Sequence, residues 1–379
     1  MVGSGTWNLA NSRAEFLQLR SDWDRLFEAN SRHSPFLSWG WVDAWLRHIA
    51  RDHELQIIYW RDSGGIVQYI LPLHRLTGTT GVRSKKIMLV CNYGLECSDN
   101  LGCLRAEAFE DLSVELTIEA VQHYFAGSES ISLGFLDSRG DFPHRLERAM
   151  KSAGRLAKTR PDAVCPAVEL PGDWDEYLGR LSYKFRSQVR RSCRQISGED
   201  PPSHRTVEPQ DAVEFTRNLV RLNRSRMSDK GNTSSLEDTS MRAFFEEAIP
   251  YMVSQDLAWM DSIFVENESL GSALHFVHGD TVYYYMGGFD DRIKKVQPST
   301  GLLGQVIQRA IARGYTRYDH LRGNESYKYR WGAADVHTLN VTIYSSGFVR
   351  GHIAALLDDL YLYTRNILKN IRNKLSGRR

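Results

Sequence analysis

The sequence predicts a mixed α/β (α+β) fold of two tandem domains, each a central mixed, mostly antiparallel sheet flanked by helices. Three observations lead there. A length of 379 residues suits two domains, each with its own core. The order helix, hairpin, strand, helix, strand is met twice, roughly 180–205 residues apart, which marks an internal duplication. Between the copies, residues 158–171 carry Pro161, Pro166 and Pro171 and predict a connection. The expected division is a domain over 1–165, a second over 166–345, and a terminal helix over 346–379 that packs back on the first.

The elements follow from periodicity. Phe16, Leu17, Leu19, Trp23, Leu26 and Phe27 make an apolar stripe that predicts a helix over 13–28. A second helix, 39–49, starts after Ser38 as its cap. Residues 55–60 and 66–73 flank Asp62-Ser63-Gly64-Gly65 as a hairpin, with Pro72 marking a strand end or an edge. A strand at 86–90, a helix at 111–125, a strand at 130–136 and a helix at 143–153 complete the first copy. The second has a helix over 240–253, strands over 259–265 and 272–277, a turn at His278-Gly279-Asp280 and a tyrosine-rich strand over 281–286. Helix 301–313 and strand 316–321 close it. The strand exits echo one another, Ser138-Arg139-Gly140 and Leu321-Arg322-Gly323. Residues 197–209 read as a proline-rich loop, and 352–375 as a helix.

Composition narrows the class. With 42% apolar and 25% charged residues, wholesale disorder is excluded. No run of eighteen apolar residues is present, so no transmembrane helix is expected, and the N-terminus lacks the pattern of a secretory signal. Five cysteines then suggest reduced thiols and a cytoplasmic location. Cys91, Cys97 and Cys103 recur every six residues, a spacing that matches no zinc pattern, so no metal is expected. The net charge is only +2, yet Lys184, Arg186, Arg190, Arg191 and Arg194 lie in an acid-free stretch, and 365–379 holds six more basic residues without an acid. Two basic patches on a near-neutral body suggest a local anionic partner.

The segment Gln297-Pro298-Ser299-Thr300-Gly301-Leu302-Leu303-Gly304 is the candidate donor site. A helix start offers N–H groups and a positive dipole end to a pyrophosphate. Ser299 or Thr300 would cap it, and Gly301 would let the backbone approach a phosphate. A plain capped helix with a tight entry turn explains the same residues.

The stretch from Gly314 through Tyr318-Asp319-His320-Leu321-Arg322-Gly323, then Glu325, Tyr327-Lys328 and Arg330-Trp331-Gly332, resembles the GNAT (Gcn5-related N-acetyltransferase) superfamily. Within it, the likeness is to CelD-like proteins of cellulose and exopolysaccharide loci and, more distantly, to FemAB aminoacyltransferases. Pro35-Phe36-Leu37-Ser38 with Trp41 and Trp45, the basic helix around Arg186–Arg194, and residues 223–231 match as well. The pyrophosphate signature departs from the usual Gln/Arg-x-x-Gly-x-Gly/Ala: here Gln297, Gly301 and Gly304 are spaced more widely.

The resemblance implies an acyltransferase in which an amine attacks a thioester, with acetyl-CoA or another acyl-CoA as donor. The acceptor would be an amino sugar, amino acid or related small-molecule amine, in polysaccharide or secondary-metabolite synthesis. The protein must take a proton, stabilise an oxyanion and hold both substrates. Asp319 is the expected base or amine-positioning group, with a surface carboxylate or cap as its plainer reading. His275 and Tyr285 are further candidates, His275 for proton shuttling and Tyr285 as one of three tyrosines alternating across a strand. Backbone N–H groups of residues 286–288 would serve an oxyanion. Arg322 and Lys328 would bind a phosphate or carboxylate, or pair with Asp319 and Glu325. Asn223, Arg226 and Lys230-Gly231 would shape an acceptor loop; Tyr327 is expected in the core rather than the cleft, though a candidate for substrate contact. The first copy, lacking a glycine-led helix start before 111–125, would only support the second. The FemAB likeness leaves open an aminoacyl-tRNA donor, whose backbone the basic helix would suit. A third reading is a non-catalytic scaffold of a polysaccharide-synthesis complex, with a degenerate site, docked peripherally on the inner membrane through its basic C-terminus.

Overall fold

The computed structural model of the chain describes residues 4–76, 86–92, 97–125, 130–198, 202–229, 231, 233–344, 351–353, 355–357 and 359–360. Lys230 and the basic residues of 365–379 lie outside these. The chain opens with strand β1 (Gly5–Ala10), helices α1 (Arg13–Gln18), α2 (Arg20–Glu28) and α3 (Trp39–His48), and strands β2 (Glu54–Asp62), β3 (Val67–Arg75), β4 (Lys86–Leu89) and β5 (Leu104–Arg105). Helix α4 (Ser113–Tyr124), β6 (Ser130–Asp137), α5 (Phe142–Ser152), β7 (Ala157–Val164) and β8 (Ala167–Glu169) follow. The second half comprises α6 (Trp174–Arg180), α7 (Tyr183–Ile196), β9 (Ser203–Thr206), α8 (Ala212–Asp229), α9 (Thr239–Ser254), β10 (Ala258–Val265), β11 (Glu268–His278) and β12 (Thr281–Phe289). It ends with α10 (Pro298–Ala312), β13 (Arg317–Asp319), α11 (Ser326–Arg330) and β14 (His337–Ile343).

Two mixed sheets result. The first runs β1-β2-β3-β4-β6-β14-β7, with β5 on β3; the second runs β8-β13-β12-β11-β10-β9. Each holds one parallel pair among antiparallel neighbours, β4 with β6 and β12 with β13. A helix crosses between the parallel partners in both cases, α4 and α10, as parallel pairing demands. The predicted two-sheet α/β architecture is therefore observed.

Several boundaries differ from expectation. Leu19 splits the expected helix 13–28 into α1, held by a Ser12–Glu15 capping box, and α2. The proline-bearing connection is strand: β7 pairs with β14 at the edge of its sheet, where Pro161, opposite Leu339, removes no needed donor. The loop expected over 197–209 contains β9, which pairs with β10. The largest difference is β14. It leaves the second half and inserts between β6 and β7, so residues 337–343 complete the first sheet rather than the expected 166–345 domain. Asp359 forms ion pairs with Lys158 (2.7 Å) and Arg160, tying the start of the terminal segment to the same sheet.

The cores explain why the halves are one body. α8 and α9 lie between the sheets: Met241, Phe244 and Phe245 of α9 join Trp41 and Trp45 of α3 and Phe276 and Tyr283 of the second sheet in one cluster. The opposite face of the second sheet packs on α6, α7 and α10 through residues such as Phe185, Val189, Leu302 and Val306. At about 25 cal/mol per Å² of apolar surface buried, this shared layer is a main source of stability.

Candidate active site

The second sheet opens where its parallel pair ends. β12 and β13 are in register only over Thr281–Tyr283 and Arg317–Asp319. Beyond, β12 continues to Phe289 while the chain after β13 turns away. The register of β12 against β11 skips Tyr285, a bulge that bends the departing strand. The gap is a cavity of about 230 Å³. Tyr284, Tyr285 and Met286 form one wall and His320, Leu321 and Arg322 the other. Cys97 and Asp99 from the first domain, and Met241 and Phe245 from α9, close one side; Glu325, Tyr327 and Lys328 flank the exit.

Asp319 sets the turn. Its Oδ1 accepts the Leu321 N–H at 2.8 Å, and Leu321 has φ 53°, a left-handed conformation that needs such support. Burial pushes its carboxyl up to about 6, against the Arg317 guanidinium 3.5 Å away and the Leu321 N–H, which pull it down. Asp319 does not line the cavity. Lys328, 2% exposed, donates to the carbonyls of Leu321 (3.0 Å), Arg322 (2.8 Å) and Gly323 (3.0 Å), so its three donors are spent on the turn, and Glu325 pairs with it at 3.0 Å. Arg322 reaches across to the first domain, bonding Asp99 at 2.8 Å and the Ser98 carbonyl while stacking 4.1 Å from the Phe135 ring centroid. Arg322 thus pairs with Asp99 rather than with Asp319, whose carboxylate is held by the Leu321 N–H and the Arg317 guanidinium.

The remaining candidates divide by surroundings. His275 is fully buried against Tyr284 and Tyr318, with Nε2 2.8 Å from the Tyr318 hydroxyl. Burial holds its imidazole down at about 3, and it is not among the residues lining the cavity. Tyr285 lines the cavity, but its hydroxyl donates to the Cys97 carbonyl at 2.9 Å. Tyr327, expected in the core, is half-buried and lines the exit beside His320. Asn223 donates to the Gly287 carbonyl at 3.3 Å and accepts from Ser234. It helps seat α8 against residues 287–288, where a Cβ on Gly288 would meet the Asn223 nitrogen at 2.5 Å. Arg226 lies over the Phe289 ring, and its charge acts on both Tyr284 and Tyr327.

The helix start needs correction. Gln297, left-handed at φ 54°, is the N-cap and Pro298 occupies the first turn, so neither Ser299 nor Thr300 caps. Pro298 has no N–H, and those of Thr300 and Gly301 already donate to the Gln297 carbonyl. Gly301, Leu302 and Gly304 face inward: a Cβ on Gly301 would lie 2.8 Å from Ile196, and one on Gly304 2.5 Å from the Cys193 sulfur. These glycines let α10 close on α7, a packing reason rather than a phosphate one. Beside the helix start, Arg330 donates to Gln188 at 2.7 Å and Gln188 to Thr300 at 3.5 Å, placing a guanidinium near it.

One residue the sequence reading passed over stands out. His320 is 2% exposed, lines the cavity, and neither ring nitrogen has a hydrogen-bond partner. Within a strand-exit motif it reads as one more core aromatic; only the opening beside it shows otherwise. Among the described residues, no group of three or more His, Cys, Asp or Glu side chains is placed to hold a metal. None of the helices there is long and apolar enough to cross a membrane.

Comparison with known proteins agrees with this layout. Residues 183–329 match the family model of the acetyltransferase (GNAT) domain. A search of curated proteins returns no match. Among solved structures, FemX is similar at 10% identity and TM-score 0.62, over 86% of this chain and 96% of its own. A conserved protein of unknown function from Bacteroides thetaiotaomicron aligns at 9% identity and TM-score 0.57, over 90% of this chain and 100% of its own. The DUF2156 domain of an Agrobacterium fabrum protein assigned as a lysylphosphatidylglycerol synthetase aligns at 10% and 0.52, over 91% and 96%. At such identities the likeness is one of fold. The chain thus carries a GNAT-type acetyltransferase domain, which makes it a transferase, within a fold it shares with FemX over most of its length.

Proposed function

We propose that the chain transfers a short acyl group from acyl-CoA to a small-molecule amine, with the reaction in the opening between β12 and β13. The observation that carries this reading is the parting of the parallel pair around a cavity lined by β12, by the chain after β13 and by residues of the first domain. Pockets that enclose a drug-sized ligand run to about 300–1,000 Å³. At about 230 Å³ this one suits the reacting ends alone, a thioester with a short acyl group and an incoming amine, with the rest of CoA outside. The pyrophosphate would rest near the start of α10, where the dipole, Ser299 and the Arg330 guanidinium favour an anion. The first-domain side, with Cys97, Phe245 and Tyr285, would receive the acceptor, an amino sugar, amino acid or related metabolite. Asn223 and Arg226 would border its entrance.

The residues then take different roles from those expected. Asp319 acts as a positioning residue, holding the left-handed turn that sets His320 and Arg322 on the wall. Lys328 fixes the same turn, and Arg322 joins the domains across the cavity. No metal enters this scheme, and a cytoplasmic enzyme fits it.

A calorimetric titration with acetyl-CoA and longer acyl-CoAs tests the reading, with Ser299→Glu as the site variant. Gly301→Glu is unsuitable, because its side chain would collide with α7 and report on packing. Micromolar binding of short acyl-CoAs, weakened in Ser299→Glu, is the expected result. A second reading rests on the fold shared with FemX and on the exposed face of α7, where Lys184, Arg190, Arg191 and Arg194 lie. Retention of charged tRNA with no acyl-CoA binding would replace the first reading by aminoacyl-tRNA-dependent amide formation. Binding of neither would leave the scaffold role, in which the basic C-terminus docks on anionic lipid.

A further inference from the structure

We infer that His320 is a catalytic residue of the acyl transfer, donating a ring N–H to the thioester carbonyl oxygen as the tetrahedral oxyanion forms. The inference rests on the proposed site and adds to it a named oxyanion donor.

A buried imidazole with both nitrogens unpartnered is costly unless something occupies them. An unmade hydrogen bond on a buried polar group costs on the scale of a whole such bond. His320 carries two such atoms on one ring. Its neighbours offer no relief: Tyr318, Tyr284 and Tyr327 surround it by their rings, at centroid distances of 5.0, 6.4 and 6.2 Å. The ring lines the cavity, so a ligand polar group there is the partner the fold leaves for it.

The surroundings choose the role. Burial first, then the Lys328 ammonium, then His275 hold the imidazole of His320 down at about 3, so it stays neutral near pH 7. A base that weak is a poor receiver of the amine's proton. The same dry site, with a fixed ammonium close by, favours negative charge on a ligand oxygen. A neutral N–H aimed at that oxygen is worth more there than in water. In the reaction the amine nitrogen bonds to the carbonyl carbon and the C=O pair moves to oxygen, which His320 holds. The pair then returns, the C–S bond breaks, and the departing thiolate takes up the proton that the amine loses. His320 is unchanged at the end. The β12 backbone at 286–288, where the sequence suggested an oxyanion site, lies opposite Leu274, Ala273 and Ser272 of β11, so only alternate N–H groups there face away from that ladder.

Isotope-edited infrared spectroscopy of acetyl-CoA labelled with ¹³C at the carbonyl tests this without knowledge of the acceptor. On the wild-type protein the bound carbonyl band is expected at lower frequency than free in solution. It should return to the free position in His320→Phe, which keeps a ring but no donor, and stay lowered in His320→Gln, which keeps an N–H. Acetyl-CoA affinity should be unchanged within about threefold in both. A band unshifted in the wild type, or equally shifted in His320→Phe, overturns the assignment. Failure of acetyl-CoA to bind the wild type at all instead removes the acyl-CoA reading on which it rests. Should His320→Phe not fold, ring ¹⁵N resonances of histidine-labelled wild type decide: the His320 pair must move on acetyl-CoA addition, and an unmoved pair overturns the role.

Discussion

The two sheets each contain a parallel pair, and the fates of the two pairs differ. In the first, β4 and β6 are in register over three residues, and then Leu101 bridges to Leu136 while its N–H donates to the Phe135 carbonyl at 2.7 Å. The chain's own loop occupies the place beside the continuing strand. In the second, β12 and β13 separate after the same number of paired residues, and among the described residues no strand fills the gap. The loop that closes the first junction also lines the second, since Cys97 and Asp99 precede Leu101 by only a few residues. One junction is plugged and its plug is reused as a wall. A duplicated architecture has thus kept one opening, and the retained one coincides with the residues that match the acetyltransferase family model.

Breaking the turn of the open junction should have the largest effect. Lys328→Met removes the donor to three buried carbonyls, and at about 1–3 kcal/mol per orphaned acceptor a loss near 4 kcal/mol is expected. Chemical denaturation measures it; a loss under 1 kcal/mol would mean that the turn holds without the ammonium. Asp319→Asn should act next, and in a pH-dependent way. A carboxyl held at about 6 in the fold against an ordinary 3.8 favours folding fully only below about pH 4. That contribution is lost as pH rises through 6, at a cost of about 3 kcal/mol by pH 7. Asn keeps an acceptor for the Leu321 N–H and carries no charge. The variant should therefore equal or exceed the wild type in stability at pH 7.5 and lack its decline between pH 4 and 6. A parallel decline in both proteins would assign the titration elsewhere.

The plugged junction is tested by Leu101→Ala, which empties a site 3% exposed and should cost about 2–3 kcal/mol. If the plug is only structural, acetyl-CoA affinity should stay within about threefold; a large loss would show that the first domain's loop sets the second opening. The smallest effect separates packing from binding. Ser299→Glu places an acid in the first turn of α10, where the dipole should stabilise the fold by about 0.3–1 kcal/mol. The same charge should weaken acyl-CoA binding about tenfold by repelling pyrophosphate. Equal binding would move the pyrophosphate away from this helix.

How far the sequence could lead depended on the range of the interaction. The hairpins, α10 with its Leu302-Leu303…Val306-Ile307 stripe, and the strand exit at 319–323 were legible, because periodicity and turn residues act locally. β7 and β9 were hidden, since prolines at 161 and 201–202 read as loop unless the edge position is known. β14 was missed because its place is set by pairing with β6 and β7, some 170–200 residues away in sequence. In the site, the sequence points to Asp319, Arg322 and Lys328 and to the Lys328–Glu325 pair, but not to Asp99 as the partner of Arg322 or to the three carbonyls that Lys328 holds. Which carbonyl an ammonium faces depends on a left-handed turn at Leu321 that no residue type there announces. Gly301 and Gly304 illustrate the converse: glycines at a helix start suggest a phosphate, and the structure fills their space with Ile196 and Cys193.

The return of β14 has a consequence for how the protein is made. During synthesis from the N-terminus, β6 and β7 emerge without the strand that belongs between them, and each presents an unpaired edge. They wait through the whole of the second sheet until residue 343 is available. The N-terminal portion therefore cannot complete itself on the ribosome, unlike domains that fold in turn as they emerge. Cutting the chain at its midpoint would give two fragments, one with a slot and the other with a loose strand. Mixed together, such fragments offer a direct way to ask whether that slot selects its strand.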